Sequence, residues 1–227
     1  MQTLSLTQLT EILNEYQYYI VDRKVYNLHL QKTLVNKSVF FLDDPESCKS
    51  IKTFEKACDY FLDVGIKRKD TLICIGGGAT TDLGGFVASS LLRGINWIAV
   101  PTTLLSMIDA SIGGKVGINT KHGKNLLGSF HLPEMELISL DFLESLDHNQ
   151  IDSGKGELIK YAFLSQKINT LLEKDCDYKK IIKDCIEFKK EIVLKDFKEL
   201  GLREILNYGH TFGHGFEKLL NIEHGMA

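Results

Sequence analysis

The stretch that most constrains this chain runs from Thr71 to Val87, TLICIGGGATTDLGGFV. An apolar run, Leu72 to Ile75, meets Gly76, Gly77 and Gly78. Ala79, Thr80, Thr81 and Asp82 follow, then a second glycine pair, Gly84 and Gly85. The pattern predicts a buried strand, a turn whose backbone can come close to a ligand, and a helix from about Leu83 to Leu92. Glycine removes the side chain that would keep a ligand away, and a helix N-terminus attracts anions. A tight structural turn has the same composition, so both readings stay open on this stretch alone.

The rest of the first half repeats the strand–helix alternation. Thr7 to Tyr16 has the period of an amphipathic helix, Tyr18 to Val21 and Val39 to Leu42 read as strands, and residues 46–64 read as a helix ended by Gly65. Asp43, Asp44 and Pro45 mark a turn. Ile95 to Val100 is a further strand closed by Pro101. Alternation of this kind predicts an α/β fold with a largely parallel sheet, in which ligands bind beyond the carboxyl ends of the strands. Asp22, the glycine turn and Thr102–Thr103 all fall at such ends. Residues 106–130 are rich in Gly, Lys, Asn and Ser and predict a long irregular segment, a kind that is commonly functional. From about residue 150 the pattern becomes helical, over 154–165, 167–174, 178–195 and 203–220. The expected domains are therefore 1–149, a Rossmann-like α/β domain, and 150–227, an α-helical domain.

Composition excludes several classes. With 227 residues, 44% hydrophobic, the chain can bury a sizeable core. The net charge is 27 − 30 = −3, which gives no global attraction to nucleic acid or membrane. Five cysteines without a CxxC argue against a disulfide framework and for a reducing compartment. No signal peptide and no membrane-length apolar run are legible, so a cytoplasmic protein is expected.

The second half carries the candidate chemistry. Lys115, Lys121 and Lys124, beside Asn119 and Asn125, suit phosphate or carboxylate groups; a solvated basic loop is the plain alternative. Glu157 and Lys160 stand at i,i+3 in GELIKYAF, where an ordinary helix-surface ion pair is the simple account. His210 and His214 stand at i,i+4, a spacing that suits a shared metal as well as a capping or core pair. His224 follows ten residues later. One Glu with two His would make a three-ligand zinc site with a position open for substrate.

Taken in order, GGGATTDLGGFVAS, LLRGINWIAVPTTLLSMIDASIGGKVGIN, GKNLLGSFH, GELIKY and GLREILNYGHTFGH resemble the 3-dehydroquinate synthase family over roughly residues 20–227. The resemblance implies conversion of 3-deoxy-D-arabino-heptulosonate 7-phosphate to 3-dehydroquinate and phosphate in the shikimate pathway, the route to aromatic amino acids. It implies catalytic NAD and a divalent metal, Zn2+ or Co2+. The cofactor residues it implies are Asp22, Asp44, Glu46, Lys49, Gly77, Gly78, Ala79, Thr80, Thr81, Asp82, Thr102, Thr103, Lys115, Lys124, Phe142, Leu143, Glu144 and Ser145. The substrate residues would be Asp109, Lys115, Asn125, Lys160, Lys189, Arg203, Asn207 and His214. Arg93 would be offered to a neighbouring subunit of a homodimer. The metal ligands would be Glu157, His210 and His224, which moves His214 from the metal to the substrate phosphate.

The chain departs from the family pattern in places. Ser145 stands where Thr is usual, and Gly225-Met226-Ala227 stands where Gly-Glu-Ala is usual. The family begins with a further strand and continues for roughly another hundred residues, a domain's worth. A form shortened at both ends is therefore expected. Another sugar-phosphate cyclase, a metal-dependent polyol dehydrogenase and an inactive relative that only binds NAD are the alternatives.

Overall fold

The computed structural model describes every residue except Met1, 175–177, Asn221, Glu223 and Ala227, and every side chain among them except those of Gln2, Lys174, His214, Lys218 and His224. The chain divides into two compact units, Met1–Thr102 with Gly114–Ser145, and Thr103–Gly113 with Leu146–Ala227. Residues 103–113, expected in the α/β domain, pack with the helical unit instead.

The first unit is built on a parallel sheet with strand order β1-β8-β5-β4-β2-β3. Its strands are β1 (Gln2–Thr3), β2 (Tyr18–Asp22), β3 (Ser38–Leu42), β4 (Thr71–Gly76), β5 (Asn96–Pro101) and β8 (Met135–Ile138). Strand β4 is buried along nearly its whole length. A continuous apolar run is what a parallel strand covered on both faces requires. On one face, α4 (Ile51–Asp63) and α5 (Gly78–Ser90) close a core of Ile20, Leu72, Cys74, Phe61, Leu83, Val87 and Trp97. Near the other face, α1 (Leu6–Leu13) buries Leu9 and Leu13, and the Tyr19 hydroxyl of β2 donates to the Leu13 carbonyl. Helix α1 starts on a capping box, with Ser5 and Gln8 satisfying each other's backbone groups. Short turns α2 (Arg23–Val25) and α3 (Pro45–Cys48) follow β2 and β3.

Helix α5 begins at Gly78, five residues before the predicted start, and Gly77 is its N-cap. Gly77 and Gly78, read as turn residues, are its N-cap and first residue, and the second glycine pair lies where the helix packs closely. A Cβ on Gly84 would overlap the Cys74 thiol, and one on Gly85 would overlap Val116 and the Trp97 ring. The helix predicted over 46–64 is broken at Lys49 and restarts behind the Ser50 cap.

The segment 106–130 is not irregular. Residues Ser106–Ala110 form a π-helical turn, and β6 (Lys115–Thr120) pairs antiparallel with β7 (Gly123–Phe130). Alternation is present, with Val116 and Ile118 buried on one face. Facing glycines, Gly117 and Gly128, hide it by leaving no room for a side chain between the strands.

The second unit contains α6 (His148–Leu164), α7 (Gln166–Lys174), α8 (Tyr178–Lys195) and α9 (His210–Leu220). Helix α6 starts six residues before the predicted boundary, behind the Asp147 N-cap, whose carboxylate accepts from the Gln150 N–H at 3.0 Å. The helix predicted over 203–220 is two elements. A 3-10 turn, Leu202–Asn207, is separated from α9 by Gly209 at φ 85°, a conformation that stops a helix. Arg203 is thus not on the helix that carries His210.

Candidate functional site

In the first unit the strand register brings the carboxyl-end residues together. Asp22 pairs with Leu42, Val21 with Ile75, and Gly76 with Pro101. Asp22, Asp44, Gly77 and Thr102 therefore stand along one sheet edge. The Asp22 carboxylate accepts from the Lys24 N–H at 2.8 Å. Burial pushes its carboxyl up, against the opposing pull of the Lys24 and Val25 backbone hydrogen bonds.

Helix α5 starts at the same edge without a side-chain cap; its Thr80 and Thr81 N–H groups donate to the Gly77 carbonyl at 3.1 Å each. A Cβ on Gly76 would overlap the Thr80 side chain, so the turn tolerates only glycine there. The Thr81 hydroxyl donates back to the Gly78 carbonyl at 3.0 Å. This donor-rich, side-chain-poor edge fits a pyrophosphate.

Lys49 reaches α5 from the broken helix. Its ammonium, 5% exposed, meets the Asp82 carboxylate at 2.5 Å. Glu46 accepts from Asn119 Nδ2 at 3.2 Å, and Lys124 stands 4.0 Å from it. The Lys49 carbonyl accepts from the Asn119 N–H at 2.9 Å, so the hairpin is tied to this turn. Glu46, Lys49 and Asn119 line an open cleft of about 410 Å³ together with Ser47, Lys52 and Lys121. Asn119 joins the expected Glu46, Lys49 and Lys124 here through its backbone and side chain alike, a role that spacing does not reveal.

Other predicted residues of this unit sit differently. Phe142 is buried and packs edge-on against His29 at 5.3 Å. Ser145 Oγ lies 2.7 Å from His29 Nε2 and donates to the Phe142 carbonyl, so the turn Leu140–Ser145, with Leu143 and Glu144, is anchored from within. Lys115 and Asn125 are exposed on the hairpin, Asn125 at φ 56°. Arg93 is exposed at φ 68°, in a turn with Leu92 and Gly94.

The second unit gathers a buried charged cluster. Lys189 Nζ donates to both the carbonyl and the Oδ1 of Asp109, at 2.6 Å each. Tyr161, fully buried, donates its hydroxyl to Asp109 Oδ1 at 2.9 Å. Lys160 pairs with Glu157 Oε2 and stands 4.0 Å from Asp109. Glu157 is 4% exposed and Lys160 8%, so the pair predicted for a helix surface is interior.

Burial works to raise the Asp109 carboxyl. The Lys189 and Lys160 charges and the hydrogen bonds from Lys189 and Tyr161 outweigh it and hold the group well below the usual carboxylate range. Burial lowers the Lys189 ammonium; Asp109 opposes this, while Lys160 and Arg203 add to it. Tyr161 was missed from the sequence, since nothing in KYAF marks its hydroxyl as a carboxylate donor.

Arg203 is buried and spends its guanidinium on backbone, donating from Nη1 to the Phe197 carbonyl at 2.7 Å and from Nη2 to the Gly113 carbonyl at 3.1 Å. Burial lowers its guanidinium, with Glu199, Asp109 and Asp196 opposing. Asn207 is exposed and donates to Glu199 at 3.0 Å. Thr103 shares hydroxyl contacts with Ser106 at the start of the 106–110 turn.

His210 opens α9, with Nδ1 3.4 Å from the Tyr208 carbonyl. The side chains of His214 and His224 lie outside the described residues. Among the described residues no three His, Cys, Asp or Glu side chains gather as a metal site. The donor chemistry fits nonetheless: a buried carboxylate, one imidazole, and a backbone turn at His224–Met226 that packs on the helix carrying Glu157.

This fold is shared with solved cyclase structures. The chain superposes with a TM-score of 0.81 on 2-epi-5-epi-valiolone synthase from Streptomyces hygroscopicus, a structure with NAD+ and Zn2+ bound, at 27% identity over 99% of this chain and 69% of that one. It shares its fold with 2-deoxy-scyllo-inosose synthase, at a TM-score of 0.80 and 24% identity over 98% of this chain and 69% of that one.

Residues 39–153 match the profile of the 3-dehydroquinate synthase N-terminal family, and residues 154–227 that of the C-terminal one. The chain belongs to the 3-dehydroquinate synthase family. It is 39% identical to the 3-dehydroquinate synthase of Clostridium tetani over 94% of its own length and 62% of that protein. It is 46% identical to that of Corynebacterium diphtheriae over 83% of its own length and 56% of that protein. The chain thus spans less than two thirds of the length of these curated relatives.

Proposed function

We propose that this chain serves the 3-dehydroquinate synthase reaction, turning 3-deoxy-D-arabino-heptulosonate 7-phosphate into 3-dehydroquinate and phosphate. Family membership supports the reaction. The observation that carries it into this molecule is the interior cluster of Asp109, Tyr161, Lys160, Lys189 and Glu157, because ionisable groups are buried together at cost unless they have work to do.

We assign NAD to the first unit, held by the α5 N-terminus with Asp22, Asp44, Glu46, Lys49, Asp82 and Thr102. Glu157, His210 and His224 are assigned to a divalent metal. When bound, NAD would supply hydride acceptance and return, and the metal would supply a Lewis acid for a hydroxyl.

The chain's own residues do positioning work. The substrate carries a phosphate and a carboxylate, and Lys160 and Lys189 are buried cations able to meet them. Asp109 fixes Lys189, and Glu157 fixes Lys160. Arg203 ties the 113 and 197 backbones and so shapes the wall behind Lys189. In the elimination the C–O bond to phosphate breaks, phosphate leaves with the electron pair, and a proton leaves the adjacent carbon. The substrate's own phosphate is the base, which spares the chain a dedicated one.

Arg93, exposed at a strained turn, is assigned to a homodimer contact, and the protein to the cytoplasm. Among the described residues no helix is long and apolar enough to cross a membrane.

The test is direct. Purified chain with NAD and Zn2+ is offered the heptulosonate phosphate, and release of phosphate and of dehydroquinate is followed together. Equal release of both is expected. Turnover of other heptulose or hexose phosphates without this one would move the assignment to another cyclase.

A further inference from the structure

The turn His224–Met226 lies against α6 at bare backbone. The Gly225 N–H donates to Ser153 Oγ at 3.2 Å, and Ser153 is buried. A Cβ on Gly156 would overlap the Gly225 carbonyl oxygen, and a Cβ on Gly225 would overlap the Ser153 carbonyl. Neither glycine has a positive φ. Conformational freedom therefore does not explain glycine at either position. Space does: two backbones cross where neither can carry a side chain.

The crossing has a consequence for the neighbours in sequence. Gly156 precedes Glu157, and Gly225 follows His224. Seating one glycine on the other fixes the backbone that carries His224 beside the helix that carries Glu157. We infer that Ser153, Gly156 and Gly225 form a seat that positions the His224 turn on α6 and thereby sets metal affinity; this rests on the assignment of Glu157 and His224 as ligands made above. The three are positioning residues, since none offers a donor to the metal. Residues that orient ligands without touching the metal typically change affinity ten- to a hundredfold when altered.

Gly156→Ala gives an unusually clear sign. Alanine favours a helix over glycine, so a purely local account expects α6 to hold or strengthen. The seat account expects the 222–226 segment to be displaced while α6 stays helical. The experiment compares wild type, Gly156→Ala, Gly225→Ala and Ser153→Ala without metal, by hydrogen exchange of that segment and by far-ultraviolet circular dichroism. Co2+ affinity is then measured by absorption titration.

The expected result is faster exchange at 222–226 in both glycine variants, unchanged helix content and at least about tenfold weaker Co2+ binding. Ser153→Ala should show the same change more weakly. Unchanged exchange in both glycine variants overturns the seat. Faster exchange with wild-type Co2+ affinity overturns its positioning role. Glu157→Gln is the control on the ligand assignment. If it binds Co2+ as wild type does, that assignment fails, while the exchange data still decide the seat.

Discussion

Replacing Asp109 by Asn removes one charge from the interior cluster and little volume. In the native chain Asp109 Oδ1 accepts from Lys189 at 2.6 Å and from Tyr161 at 2.9 Å, and Lys189 is 8% exposed. Removing one partner of a buried ion pair costs about 3–5 kcal/mol, because the other charge stays buried. Two features reduce that here. Lys189 keeps its bond to the Asp109 carbonyl, and Asp109 is 21% exposed. A loss of about 2–3 kcal/mol follows, which at a urea slope of about 2 kcal/mol/M moves the unfolding midpoint down by about 1–1.5 M.

Lys189→Met should cost less, since Asp109 retains Tyr161 and Lys160, and the double variant should recover part of the sum. The expected coupling is about 2 kcal/mol. A coupling below about 0.5 kcal/mol would show that the two groups are neighbours without being partners. The pH dependence has a definite sign. The native Asp109 carboxyl lies below its ordinary value of 3.8, so the unfolded chain binds its proton first on acidification. The contribution is complete above the unfolded value and is lost as pH falls through the native one. Wild type should therefore lose stability below about pH 4 more steeply than Asp109→Asn does.

Four further outcomes are expected. Gly85→Val forces a side chain into Val116 and the Trp97 ring and should cost about 1–3 kcal/mol or more, read as a fall in Tm; an unchanged Tm would mean that α5 can shift away from β6. Lys49→Met leaves Asp82 without its close cation and should weaken NAD binding at least about tenfold, measured by calorimetry; unaltered binding would remove Lys49 from the cofactor site. His210→Ala should abolish stoichiometric zinc after dialysis, and retained zinc would overturn its assignment. Burial and nearby Asp59 push the Cys58 thiol up to about 11, and burial chiefly pushes Cys185 up to about 12, so native labelling at pH 8 should be slow at both, the Cys58 thiolate amounting to about one part in a thousand. Rapid native labelling of Cys185 would mean that the α8 core opens.

How much of this was legible follows from particular residues. Strands β2, β4 and β5 could be read because parallel strands buried on both faces leave continuous apolar runs. The edge formed by Asp22, the glycine turn and Thr102 could be read for the same reason. Helix α5 begins earlier than its pattern because Gly77 and Gly78, which read as turn residues, are its N-cap and its first helical residue. The hairpin was hidden by Gly117 and Gly128, and β1 and β8 were too short to show a period. In the second unit, spacing paired Glu157 with Lys160 but said nothing of depth. Lys160 stands 4.0 Å from Asp109, 51 residues earlier in the chain, and no local pattern encodes that contact. The resemblance supplied the residues; the packing supplied Tyr161 and the Gly156–Gly225 crossing.

The Lys189–Asp109 bond has a consequence for the proposed substrate site. Lys189 already gives two of its three N–H donors to Asp109, one to the backbone carbonyl and one to the carboxylate, at 2.6 Å each. On the assignment of Lys189 to the substrate proposed above, an incoming phosphate or carboxylate would take part in an exchange, and its net gain would be the difference between two ion pairs. Chloride or acetate, each with a single charge, offers little surplus over the resident carboxylate. A dianion held at several points offers much more. On that assignment the resident carboxylate, besides holding Lys189 in place, would act as an internal competitor that sets a threshold for admission.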